Sequence, residues 1–214
     1  MITARRQGYL SGRQIVLNRF AARFMCLRLF NKIKSCFAFS KTALLLKTEE
    51  AMFEKFYPDF RFNSIDDISA DFLKENNINF AVLDIDNTLV SYKTASADKR
   101  ARNFLDMLLK NSIKFAFVSN NHKKRVELFA KDFNAPFVSS ALKPFSVGVR
   151  RAMSKMGAKK EETLLVGDQI FTDICAGKRA GIKTVMVNPI EAKETPFFGF
   201  KRYFERKVLK NYKG

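Results

Sequence analysis

The sequence predicts an α/β fold: a parallel sheet covered by helices on both faces, in three layers. Three observations carry this. From residue 79 onward, short apolar runs alternate with segments of helical periodicity. The runs are almost continuously apolar, as in strands buried on both faces. A polar residue follows each major run, at the carboxyl edge where an open parallel sheet binds its ligands.

The elements follow in order. Residues 79–85 (NFAVLDI) read as a buried strand. Residues 98–110 read as a helix, with Ala101, Leu105 and Leu108 on one face and Phe104 beside it. Residues 113–119 (IKFAFVS) are a second strand. Val126, Phe129, Ala130 and Phe133 then recur at helical spacing, and residues 136–139 form a short strand. Val149, Ala152, Met153 and Met156 repeat the helical pattern, and residues 163–167 (TLLVG) are a strand. A helix over about 173–180 stops at Gly181, with Asp173 or Thr172 as its N-cap. The last strand, 184–188, ends at Pro189. There is no internal repeat and no low-complexity segment.

The chain of 214 residues, 47% apolar, is long enough for one domain with extensions. Its charge is unusual: 39 Lys and Arg against 21 Asp and Glu, a formal net charge of +18. Residues 1–51 hold ten basic side chains and only two acidic ones, Glu49 and Glu50. Such an excess points to a polyanionic partner: nucleic acid, an anionic membrane surface or a phosphate-rich substrate. Three Cys without CxxC spacing (Cys26, Cys36 and Cys175) argue against a disulfide framework and a zinc site, and fit a reducing compartment. The longest apolar stretch, residues 15–46, is broken by Arg19, Arg23, Arg28, Lys32, Lys34 and Lys41, so no spanning helix is expected.

Three segments result. Residues 1–51 are a basic extension: an amphipathic surface helix, an organellar presequence, a disordered extension, or sequence upstream of a natural start at Met52. Residues 52–190 form the α/β domain. Residues 191–214 are a basic aromatic tail, with Phe197, Phe200, Phe204 and Val208 near one helical face. That tail fits a membrane interface or a last helix packed on the domain.

The strand ends carry the chemistry. Asp84, Asp86, Asn87 and Thr88 follow the first strand; Ser119, Asn120 and Asn121 the second. Lys143 and Pro144 follow the third after a gap; Gly167, Asp168 and Asp173 the fourth. Asp84, Asp86 and Asp168 offer hard oxygen ligands, which suit Mg²⁺ better than zinc. A metal there would neutralise carboxylates that are costly to bury alone. Lys143 is a point charge for phosphate oxygens, and Ser119 supplies a hydroxyl. A carboxylate nucleophile, a second carboxyl two residues on, a metal and a lysine together make a set suited to phosphoryl transfer.

The ordered motifs DIDNT, SN, KP and GDQIFTD resemble those of the haloacid dehalogenase superfamily over about residues 80–190. DNTLV, VSNN and GDQIFTDI are similar to the subclass IIIA phosphatases. From Met52 the chain resembles the YqeG-like family, related to mitochondrial phosphatidylglycerophosphate phosphatases. The resemblance implies a Rossmann-like three-layer core without a cap domain. It implies Asp84 as nucleophile forming an aspartyl-phosphate, and Asp86 as general acid and then base. Ser119, Asn120, Lys143 and Thr88 would form the phosphate-binding set, with Thr88 also steadying the loop. Mg²⁺ would be held by Asp84, Asp86 through its backbone carbonyl, Asp168 and Asp173, the last directly or through water.

Asp84 and Ser119 are 35 positions apart, and Ser119 and Lys143 are 24 apart. Each gap is filled by the elements already assigned, too short for a lid domain. An open site suits a large or surface-bound substrate. Together with the charge, the tail and the resemblance, this gives an anionic phospholipid as expected substrate, specifically phosphatidylglycerophosphate. The expected location is the cytoplasmic face of a membrane, or the matrix face in a mitochondrion. Two rivals stand beside it: a soluble phosphatase for sugars, nucleotides or phosphoproteins, and an inactive scaffold that binds RNA or ribosomes. No RNA-recognition signature is visible, so nucleic acid is not expected as a partner. His122 reads as a loop or helix-start residue and Cys175 as helix packing; neither has a catalytic task.

Overall fold

The computed structural model describes residues 53–94, 96–191, 196–210 and 212, and the fold is built from these. The basic extension over 1–51 lies outside them. Six strands form one sheet in the order β1-β6-β5-β2-β3-β4, and every pair is parallel. The strands are β1 (Phe60–Phe62), β2 (Phe80–Leu83), β3 (Lys114–Val118), β4 (Phe137–Val138), β5 (Thr163–Gly167) and β6 (Lys183–Val187).

The helices are α1 (Ala70–Glu75), α2 (Lys99–Lys110), α3 (Lys123–Lys131), α4 (Val147–Met156), α5 (Cys175–Ala180) and α6 (Pro196–Leu209). Strand alternation sends side chains to two separate cores. Ala81, Leu83, Phe115 and Phe117 pack with Leu105 and Leu108 of α2 and Val126 and Phe129 of α3. Val82, Ala116, Val118 and Leu165 point the other way, onto Val149, Ala152 and Met153 of α4 and Ala176 and Ala180 of α5. The expected three layers are therefore present.

Two elements are additional to those the sequence predicts. β1 pairs along the sheet edge with β6, Phe60 opposite Val185. α1 is capped by Ser69, whose side chain accepts from the Phe72 N–H. One expectation is corrected. The helix expected from Asp173 begins earlier, with a π-helical turn over Ile170–Ile174 that runs on into α5. Asp173 is inside that turn and is not an N-cap. Its Oδ2 accepts from the Gln169 N–H at 3.1 Å, so its side chain closes the turn from within. Gly181 ends α5 in the left-handed region, φ 78°, as its place in the sequence requires.

The chain runs outward from β2 through β3 to β4, then returns to the other side of β2 with β5 and β6. The switch point thus lies between β2 and β5, whose following loops lead to opposite sides of the sheet. The residue after β2 is Asp84.

Candidate active site

Asp84 follows a strand buried between β3 and β5, and its own N–H donates to the Val166 carbonyl at 3.0 Å. The chain then turns tightly: Leu89 and Val90 donate back to the Ile85 carbonyl, and Asn87 sits at φ 71°. Asn tolerates that conformation because its short amide bonds locally. The Asn87 side chain clamps the Glu191 backbone, donating to its carbonyl at 2.8 Å and accepting from its N–H at 2.9 Å. The first loop is thereby tied to the chain leaving β6.

One oxygen from each of Asp84, Asp168 and Asp173 lies within 4.8 Å of the others, and all three residues are buried. Gly167 makes this possible, because a Cβ there would overlap the Asp173 side chain. Lys143, 5% exposed, reaches into the cluster. Its Nζ donates to Asp84 Oδ1 at 2.6 Å, Asp173 Oδ1 at 2.5 Å and the Val118 carbonyl at 3.1 Å. The Thr88 hydroxyl donates to the other oxygen of Asp84 at 3.1 Å.

The electrostatics follow. Burial pushes the Asp84 carboxyl well above the usual range; Lys143 pulls it back, and Asp173 and Asp168 push it further up. Burial pulls the Lys143 ammonium down, but Asp173 and Asp84 more than offset this, and the net shift is upward. Lys143 balances at most one of three carboxylate charges. The remaining deficit, with an all-oxygen donor set, fits a hard divalent cation held by Asp84, Asp168 and Asp173.

Asp86 belongs to a second group. Its Oδ1 accepts from Arg125 Nε at 3.3 Å and Nη2 at 3.1 Å. Its Oδ2 accepts from the Ser119 hydroxyl and from Asn121 Nδ2, both at 3.2 Å. Both Asp86 side-chain oxygens are therefore held by groups other than those around the three-carboxylate cluster, which leaves its backbone carbonyl as its route to a metal.

Asn120 makes a reciprocal pair with the backbone of Lys143: its Nδ2 donates to the carbonyl at 2.9 Å and its Oδ1 accepts from the N–H at 2.8 Å. Its amide is thus spent on placing Lys143, a more indirect service than the phosphate contact expected for it. His122 is exposed at the N-cap position of α3 with no side-chain cap bond, and Cys175 is buried in α5.

Arg125 and Asn121 complete the Asp86 pocket; the sequence places Asn121 on the rim without a role and does not mark Arg125. Arg125 sits in KKR, where nothing local separates it from a solvated lysine run. Asn121 follows SN directly, and that adjacency was the available signal. No described element forms a lid: only α2 and β3 separate Asp84 from Ser119, and α3 and β4 separate Ser119 from Lys143.

A clustered aspartate site at the switch point of a parallel sheet defines a class of hydrolase, and the comparisons agree. A family model described as haloacid dehalogenase-like hydrolase matches residues 33–187. The chain belongs to that family. It is 35% identical over 159 residues to the probable phosphatase YqeG of Bacillus subtilis, covering 74% of this chain and 92% of that protein. It is 48% identical over 54 residues to the ribonucleotide monophosphatase NagD of Escherichia coli K12, 22% of each chain. Among solved structures, the cobalt-bound deoxy-D-mannose-octulosonate 8-phosphate phosphatase of Haemophilus influenzae aligns at TM-score 0.42 and 18% identity, covering 64% of this chain and 90% of that one. Within the family, the chain is a phosphatase.

Proposed function

We propose that the protein is a Mg²⁺-dependent phosphomonoesterase that works through an aspartyl-phosphate, with phosphatidylglycerophosphate as its substrate. The observation that carries the chemistry is the buried group of Asp84, Asp168 and Asp173, with Lys143 bridging Asp84 and Asp173.

An Asp84 oxygen attacks phosphorus, and the ester P–O bond breaks. The departing alkoxide takes a proton from Asp86, help that general acids supply at ~10²–10⁴-fold. Water then attacks the aspartyl-phosphate, Asp86 takes its proton, and the bond from Asp84 to phosphorus breaks to release phosphate. Lys143 and the Ser119 hydroxyl hold the phosphate oxygens, and Thr88 orients Asp84. Asp84, Asp168, Asp173 and the Asp86 backbone carbonyl would hold Mg²⁺, which supplies neutralisation of charge on the phosphoryl group.

The lipid reading is supported by a rim that no described element covers, the net charge of +18 and the resemblance to mitochondrial phosphatidylglycerophosphate phosphatases. The tail contributes less apolar surface than its sequence offers. Phe204 and Val208 of α6 are buried, whereas Arg206 and Lys207 are exposed. A membrane contact through these described residues is therefore electrostatic, about 1 kcal/mol per basic side chain near an anionic surface. No helix among the described residues is long and apolar enough to cross a membrane.

The test is phosphate release with Mg²⁺ from phosphatidylglycerophosphate in mixed micelles against a panel of soluble monoesters, with Asp84→Asn as blank. Lipid turnover lost in the variant is expected. Turnover confined to soluble esters would keep the chemistry and discard the lipid.

A further inference from the structure

We infer that Arg125 is a positioning residue for proton transfer, fixing the Asp86 carboxyl in the orientation from which it serves the leaving oxygen. This rests on the assignment of Asp86 as general acid made above. Asp86 and Arg125 form a largely buried ion pair, with side chains 10% and 13% exposed and N to O at 3.1 Å. Two guanidinium nitrogens meet one oxygen, Oδ1, while Ser119 and Asn121 hold Oδ2. The carboxyl is thus gripped at both oxygens by groups from the end of β3 and from α3.

Arg125 has a second hold. Its Nη2 donates to the Ser91 carbonyl at 3.4 Å, in the loop that carries Asp86 away from β2. One planar fork therefore spans the loop backbone and the acid, a geometry that a lysine point charge reproduces only in part. Arg125 pairs with Asp86, whereas Lys143 pairs with Asp84 and Asp173 of the cluster. Charge placement at the metal and proton delivery to the leaving group are thus handled by different cations, Lys143 after β4 and Arg125 after β3.

The separation gives a specific test. An alkoxide leaving group depends on general-acid help, whereas p-nitrophenolate leaves with little. The experiment measures kcat/KM for glycerol 3-phosphate and for p-nitrophenyl phosphate with Mg²⁺, using the full chain and its Arg125→Ala and Arg125→Lys variants. This ratio reports transition-state stabilisation relative to free enzyme and substrate. Arg125→Ala is expected to lose ~10²-fold on the alkyl ester and under ~10-fold on the aryl ester, with Arg125→Lys between wild type and Ala. Mg²⁺ affinity should be unchanged in both variants, a readout that also shows the site is folded.

Equal losses on the two esters, or a loss confined to KM, would overturn the role and make Arg125 a structural or substrate-contacting residue. A misfolded Arg125→Ala leaves Arg125→Lys to decide: a graded, ester-selective loss supports the role, and wild-type ratios contradict it. A wild type that turns over neither these esters nor phosphatidylglycerophosphate would instead remove the phosphatase reading on which the role depends.

Discussion

At the scale of single residues, Asp84 is placed where it is useful rather than where it is stable. Its carboxyl keeps a proton in the metal-free fold at pH values where the unfolded chain, with a carboxylate pKa near ~3.9, has released it. Metal-free stability therefore falls as pH rises above the unfolded value toward the raised folded one. Asp84→Asn removes that cost. It should raise the melting temperature of metal-free protein at about pH 7, on the order of 1 kcal/mol or ~2–4 °C for a chain of this size, while lowering turnover at least ~10³-fold. The same linkage governs the metal. Cation uptake competes with the Asp84 proton, so Mg²⁺ affinity measured by calorimetry should weaken as pH falls. Arg125 belongs to this scale too. Its partner lies 39 positions away in sequence, so no local period marks it.

At the scale of elements, legibility followed burial. β2, β3, β5 and β6 are apolar runs within the sheet and could be read directly, as could α2 and α4 with their repeating buried faces. β1 could not: Phe60–Phe62 is three residues at the sheet edge, with Arg61 exposed and one neighbour strand. α1 has six residues and one buried side chain, Leu73, too little to set a period. The turn over Ile170–Ile174 departs from α-helical spacing, which is why Asp173 looked like a cap. That turn depends on α6. Glu205 is 2% exposed, and its Oε1 accepts from the Ile170 N–H at 3.0 Å. Glu205→Ala strands that buried N–H at a cost of ~1–3 kcal/mol. Reduced thermal stability and weaker Mg²⁺ binding by calorimetry are expected together, since the turn holds Asp173. The four motif groups were legible because a parallel sheet collects its strand ends on one rim; their division into a cluster around Lys143 and a pocket around Arg125 was not, because it depends on side-chain directions.

At the scale of the whole molecule, the fold concentrates acidity in one crevice of a strongly basic chain. A net charge of +18 would favour the anionic substrate and surface proposed above, while the buried aspartates suit a cation. Binding to vesicles rich in anionic lipid, followed by sedimentation, should weaken steeply as salt rises from low to physiological ionic strength, where the screening length is ~8 Å. Binding insensitive to salt would point instead to apolar insertion. The proposed chemistry rests on one covalent bond, from Asp84 to phosphorus. Its most direct test uses Asp86→Asn, which should form the phosphoenzyme from p-nitrophenyl phosphate with Mg²⁺ yet release it slowly. After acid quenching, peptide mapping by mass spectrometry should find the phosphoryl group on the peptide containing Asp84, and none in Asp84→Asn. A phosphoryl group on another residue, or one that persists in Asp84→Asn, would contradict the account.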